Sequence, residues 1–433
     1  MQVENGKPRR PIQVGEAMSH VMRFARKGTV EHIPIEQCYG RHLGEPLVAS
    51  HQVPPFNKSP YDGFAIRACD TSECTRVQPK RFEVIGTIGA GALFEETVQQ
   101  YQAVRIMTGA AIPDGCDAVV MLERGRHYHE AGTDFVDFNY VVKTGENISF
   151  AGEDTEAGAV LVTEGEPINP GVTALLATFG YAQVPVSRKP TVGVLSTGSE
   201  LLEIGEAMEP GKIRNSNAAM LQAQIQRAGG EVIYFGQCED DLEASLSRVE
   251  AAFEQVDILL TTGGVSVGDF DYLPAIYEWM QANVLFNKIA MRPGSVTTAA
   301  EKDGRILFGL SGNPSACYIG FELYVYPLIR SFLRSDSPYR RQAHAFLGAD
   351  FPKANPYDRF VRGALTIQEG VLIATPVGLD KSNVVTSLAG ADCLIMLPHG
   401  TKGYERGAQV TVFLLEDEKG ASRSGFEQTI AIH

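Results

Sequence analysis

The chain has 433 residues, a formal net charge of −14, 44% hydrophobic residues and 21% charged ones. It is too long for one ordinary core and has the make-up of a soluble globular protein of two to four domains. The acidic balance, with no stripe dense in Lys or Arg, argues against a nucleic-acid binder, and no apolar run reaches the roughly 18 residues that span a bilayer.

The opening "MQVENGKPRRPIQ" has no apolar core and predicts no secretory signal. Seven scattered cysteines without a C-x-x-C pair suggest reduced thiols and a cytoplasmic protein. Helical spacing of Val14, Met18, Val21, Met22 and Ala25 predicts a helix within residues 11–28. From Leu47 to about Asn147, alternating runs such as "RFEVIGTI", "QAVRIM" and "FVDFNYVV" predict a β-rich domain. Residues 148–186 turn to loop, strand and helix, expected to pack back on the N-terminal helix.

From Lys189 strand and helix alternate: "TVGVLST", "NSNAAMLQAQIQRAGG", "EVIYFGQC", "DDLEASLSRVEAAFEQ", "VDILLTTGG", "RILFGLSGNP" and "SACYIGFELYVYPLIRSFL". That rhythm predicts a doubly wound, mostly parallel sheet. Beyond about Pro338 the strands "RFVRGALTI", "VLIATPV", "CLIMLP" and "AQVTVFLL" predict a small β-barrel. The expected division is 1–46 with 148–186, 47–147, 187–335 and 336–433.

In an open α/β sheet, ligands bind beyond the carboxyl ends of the strands. Three such ends carry unusual residues: "LSTGSEL", "TTGGVSVGDFD" and "LSGNPSA". Glu200 adds a carboxylate to the first. Gly263, Gly264 and Ser266 offer backbone donors and a hydroxyl suited to phosphate, and Asp269 and Asp271 suggest a cation beside it. Ser311, Gly312, Asn313 and Pro314 precede a helix whose free N–H groups attract anions. Taken singly, each loop reads equally well as a tight turn or a helix cap.

In "FNKIAMRPGS" an extended backbone would put Lys288, Ala290 and Arg292 on one face, either as an oxoanion clamp or as a solvated edge strand. Asp62-Gly63 suggests a turn, and Thr108, Glu153 and Asp154 fall at bends. "GTIGAGALF" lacks the G-x-G-x-x-G spacing and opens no βαβ unit. His127 and His129 have metal-like spacing, but in a charged, loop-like segment.

Taken in order, "SPYDGFA", "RIMTGA", "GENI…GED", "VGVLSTGSEL", "TTGGVSVGDFDY" and "GLSGNPSA" resemble the molybdopterin molybdenumtransferases, the MoeA and gephyrin E-domain family. The resemblance runs over nearly the whole chain. It implies a multidomain α/β plus β protein: a central MogA-like doubly wound α/β domain, a β-rich domain, an elongated N-terminal dimerisation region and a C-terminal β-barrel. It implies a homodimer with shared active sites, in which adenylylated molybdopterin and molybdate give molybdenum cofactor and AMP with a divalent cation such as Mg²⁺.

Carried over by motif, Asp62, Thr108, Asp154, Glu200, Lys288 and Arg292 would be catalytic. Gly263, Gly264, Ser266, Asp241 (or Asp240), Ser311, Gly312, Asn313, Pro314, Arg362 and Ser387 would bind substrate, with Asp271 and Glu200 on the metal. Possible partners are a molybdopterin adenylyltransferase and apo-molybdoenzymes, with no nucleic acid and no membrane. The chain departs from the family pattern at "YDGFA" for M-D-G-Y-A and "SFAGED" for an arginine-rich turn. It departs again at Ser199 for the Asp of T-G-D-E-L, and at Arg292-Pro-Gly-Ser295 for K-P-G-K. Lost cations and a lost carboxylate also allow a second reading, a catalytically weakened paralogue that carries molybdopterin or acts as a scaffold.

Overall fold

The computed structural model describes residues 10–238, 242–263, 272–417 and 420–426. Two compact units result: Pro46–Val162, and a larger one of Met1–Glu45 with Thr163–His433.

In the smaller unit a six-stranded sheet runs in the order Ala118–Met121, Gly63–Ile66, Gln102–Ile106, Lys80–Ile88, Thr133–Phe138, Arg126–Glu130. Only Lys80–Ile88 and Gln102–Ile106 pair in parallel. The strand Gly63–Ile66 is buried along its length, with Phe64 and Ile66 in one apolar cluster and Ala65 in another. Phe64, Phe82 and Phe138 meet edge to face, the arrangement aromatic quadrupoles favour. His127 and His129 lie on the edge strand Arg126–Glu130 rather than in a loop, and both face Asp134. Charged side chains there block further strand pairing.

The larger unit is built on a mixed six-stranded sheet ordered Glu231–Cys238, Thr191–Thr197, Ile258–Thr262, Arg305–Leu310, Thr298–Lys302, Asn283–Phe286. The first four strands are parallel, and the last two run antiparallel. Val192, Val194 and Leu195 are all buried, as a strand covered on both faces requires. Helix Ser216–Ala228 starts where the Asn215 side chain accepts from Ala218 N at 3.2 Å, and ends at Gly229 in the left-handed region. The N-terminal helix Val14–Met22 buries Val14, Ala17, Met18 and Val21 in the core that the sheet shares.

The segment 286–295, where an extended backbone would put Lys288, Ala290 and Arg292 on one face, is interrupted. Lys288 is half-buried, Ala290 buried and Arg292 exposed, and only Met291–Arg292 forms a strand. Ile12 pairs with Ile289 on one side, and Met291–Arg292 pairs with Asp358–Gln368 on the other. The chain bends at Ala290 between these two pairings, so a period of two does not place Lys288 and Arg292.

After Leu310 the helix Pro314–Gly320 widens into a π turn, Phe321–Val325, then resumes as Tyr326–Phe332. Pro327 accounts for the widening, since it has no N–H to donate and its ring crowds the preceding turn. Glu322, within that turn, is 1% exposed. It is held by Gln224 Nε2 (2.6 Å), Arg340 Nε (2.7 Å) and Arg227. The last strands, Gln342–Leu347, Asp358–Gln368, Val371–Pro376, Cys393–Leu397 and Gln409–Leu414, close into a five-stranded barrel because Asp358–Gln368 pairs with both Val371–Pro376 and Cys393–Leu397. Among the described residues no helix is long and apolar enough to cross a membrane.

Removing the charge from Glu322 leaves the buried Arg340 without its carboxylate, at a cost of about 3 kcal/mol or more. Glu322→Gln is expected to lower the calorimetric unfolding temperature of the larger unit; an unchanged transition would show that Glu322 is not needed to hold Arg227 and Arg340.

Candidate active site

Thr191–Thr197, Ile258–Thr262 and Arg305–Leu310 are neighbours in parallel register, so the three predicted loops leave one edge of one sheet. Gly263 has φ +92°, and a Cβ there would lie 2.2 Å from Thr197 O. No side chain fits such an approach. Gly312 packs on the same point: a Cβ built on it would sit 3.6 Å from Gly263 Cα. Asn217 ties two of these loops, its Nδ2 donating to Thr262 Oγ1 at 3.0 Å and Gly312 O at 2.8 Å. At Gly198 the exposed Glu200 carboxylate folds back over the backbone, within 2.5 Å of where a Cβ would be.

Beside these strand ends lies a cleft of about 330 Å³ whose lining includes Arg292, Ser295, Ser311, Asn313, Arg359 and Lys381. Ser311, 4% exposed, accepts from Asn313 N at 3.2 Å and shapes the turn. Asp380, Lys381 and Ser382, from a loop of the barrel, line it as well. Ser315 joins that loop to the sheet's own loop: its N–H donates to Ser382 O (2.9 Å) and its hydroxyl to Val384 O (2.6 Å).

Arg362 and Ser387 are buried behind this loop. Arg362 Nε donates to Ser387 Oγ at 2.9 Å and Nη2 to Leu379 O at 2.7 Å, while Nη1 has no hydrogen-bond partner among the described residues. Burial pulls the Arg362 pKa below the ordinary arginine value. Lys288 is not among the residues that line the cleft.

In the smaller unit Asp62 Oδ1 accepts from both the backbone N–H and the hydroxyl of Thr108, each at 2.7 Å. The backbone N–H is the larger cause, the hydroxyl the next, of an Asp62 pKa held below the usual carboxylate range, with Arg105 adding to the pull. Asp62 closes a bend rather than opening a turn, since Gly63 begins the strand Gly63–Ile66. Asp154 is exposed on the turn 150–155, its N–H donating to Val53 O at 3.0 Å.

Profiles of known families match most of the chain: the MoeA N-terminal region (domain I and II) at residues 12–180, a probable molybdopterin binding domain at 193–331, and the MoeA C-terminal region (domain IV) at 344–415. The molybdopterin molybdenumtransferase of Bacillus subtilis is 56% identical over 413 residues, 95% of this chain and 96% of that protein. The chain belongs to the MoeA family. The Staphylococcus epidermidis molybdopterin molybdenumtransferase is 47% identical, over 94% of this chain and 96% of that one. A molybdopterin biosynthesis MoeA protein of Pyrococcus horikoshii superposes with a TM-score of 0.83 at 30% identity, covering 94% of this chain and all of that one.

The structure therefore brings Arg292, Ser311 and Asn313 to one cleft, Gly263 and Gly312 to its sheet edge, and Asp62 and Thr108 into direct contact. Asp240, Asp241, Gly264, Ser266, Asp269 and Asp271 lie outside the described residues. Sequence reasoning missed Asn217, Ser315, Arg359 and Lys381. The Asn of N-S-N and the second Ser of S-G-N-P-S were the available signals for the first two. Among the described residues no group of three or more His, Cys, Asp or Glu side chains could hold a metal ion.

Two expectations follow from this MoeA-family geometry. Gly263→Ala forces a Cβ against Thr197 O and should destabilise the sheet edge by roughly 2 kcal/mol or more, read as an earlier unfolding transition. Thr108→Val removes the hydroxyl but keeps the N–H. The Asp62 pKa should then rise part-way toward the ordinary value in a carbon-detected NMR titration, whereas an unmoved titration would mean the hydroxyl does not act on it.

Proposed function

We propose that the chain is a molybdopterin molybdenumtransferase, converting adenylylated molybdopterin and molybdate to molybdenum cofactor and AMP. The observation that carries this reading is the cleft beside the strand ends where Arg292, Arg359 and Lys381 gather around a single carboxylate, Asp380, in a chain 56% identical to a molybdenumtransferase over 95% of its length. The net charge of −14 makes such a local concentration of Arg and Lys informative, because an acidic protein binds anions only where it gathers its cations.

Gly263 and Gly312 draw the strand ends together and so set the sheet edge beside the cleft. Arg292 offers a fork that matches two oxygens of a tetrahedral oxoanion. Arg362, buried with Nη1 uncommitted to any described acceptor, and Ser387 stand in reserve behind the barrel loop, and Lys288 would add charge from the Ile12-paired segment. Asp62, its pKa held low, is ionised at neutral pH; it therefore accepts a proton or hydrogen bond and does not donate one. Asp154 would assist it. Mg²⁺, held by Glu200 and Asp271, would neutralise phosphate charge.

The same reading includes a homodimer with shared active sites, in the cytoplasm, receiving substrate from a molybdopterin adenylyltransferase and serving apo-molybdoenzymes. The four-part division made from the sequence belongs to it as well. All seven cysteines are free thiols, which fits a reducing compartment.

Single-turnover release of AMP from adenylylated molybdopterin tests the activity. Molybdate and Mg²⁺ are expected to stimulate release, and Asp62→Asn to slow it by about a hundredfold, the scale of losing one charge-stabilising group. Tight pterin binding with no release under any condition would leave a carrier on an insertase fold.

A further inference from the structure

The cleft has two kinds of cation. Arg359 is committed: its Nη1 meets Asp380 Oδ2 at 2.6 Å and its Nε donates to Asn355 Oδ1 at 2.8 Å. Lys353 shares the same carboxylate at 3.1 Å. Arg292 and Lys381 both line the cleft, both are exposed, and among the described residues neither makes an ion pair.

Lys381 stands on an exposed loop, yet its backbone is fixed on both sides. Before it, Arg362 Nη2 donates to Leu379 O at 2.7 Å, and Lys353 Nζ donates to Asp380 O at 3.0 Å. After it, Ser315 holds Ser382 O and Val384 O at 2.9 and 2.6 Å. Its own N–H donates to Leu379 O at 3.0 Å. With Asp380 already shared between two cations, the neighbouring carboxylate has little pull left for Lys381. A free ammonium on an anchored backbone is a pre-organised anion contact, because little ordering remains when the anion arrives.

We propose that Lys381 is an oxoanion-binding residue, acting with Arg292 across the cleft to hold a tetrahedral oxoanion. The two side chains contribute differently: a planar fork from Arg292, a compact point charge from Lys381. The anion is molybdate or the phosphate of the nucleotide-bearing substrate, and Lys381 sets how tightly it is held rather than how fast it reacts. This inference rests on the transferase reading above and adds a residue to it.

The test uses the full chain with Lys381→Met and Lys381→Arg. Equilibrium titrations with sodium molybdate and with AMP, at low and physiological salt, read binding without turnover. Molybdate-dependent AMP release reads the reaction. For Lys381→Met the molybdate dissociation constant should rise about tenfold. The molybdate concentration for half-maximal AMP release should rise in parallel, and Lys381→Arg should recover most of the affinity. A tenfold loss confined to AMP would support the same contact with phosphate as its anion. Unchanged affinity for both anions would overturn the proposal, as would a wild-type protein that binds neither. Should wild type bind molybdate but release no AMP, the transferase reading fails, and the two titrations still decide the role of Lys381.

Discussion

Thr197 O lies where a side chain at position 263 would begin, so two parallel strands can end side by side there only because residue 263 has none. This close approach fixes the rest. It brings the ends of Thr191–Thr197 and Ile258–Thr262 together, and Gly263 N reaches Leu310 O at 3.3 Å on the next strand. Gly312 then packs on Gly263, and Asn217 laces Thr262 to Gly312 from the helix behind. The cleft inherits its position from that edge: Ser311 and Asn313 belong to the loop that Gly312 anchors.

Charge is handled in the larger unit by a division of labour. Glu322 and Asp380 each hold two basic side chains, and those pairs spend their electrostatics on structure. A buried carboxylate compensated in this way adds modest net stability, but removing it is costly. In the cleft, Arg292 and Lys381 make no ion pair among the described residues. Ser295, which stands where the MoeA-family pattern has a lysine, lines the same cleft as Lys381.

Much of this was legible in the sequence, for reasons that can be stated residue by residue. Buried parallel strands announce themselves as unbroken apolar runs, so "TVGVLST" and "VDILL" gave correct strands, and Asn215 with Gly229 bracketed a helix by cap chemistry that acts over a few residues. Shared strand ends followed from topology alone. The stretch around Arg292 could not be placed from local pattern because its path is set by Ile12 and by Asp358–Gln368, partners about 280 and about 65 residues away along the chain. Lys381 carried no local signal at all. Only the closure of the barrel and the two hydrogen bonds of Ser315 turn an ordinary loop lysine into part of a cleft wall.

Those two hydrogen bonds also bear on how the protein is made. The sheet and its glycine-bounded edge are complete once residues up to the helix Tyr326–Phe332 exist, yet part of the cleft's lining comes from residues 380–382. Chains fold from the N-terminus as they leave the ribosome. A nascent chain can therefore hold a finished sheet while its cleft still lacks one side. The side of the cleft that carries Lys381 is therefore assembled last, and Ser315 marks completion by receiving its two partners from the barrel.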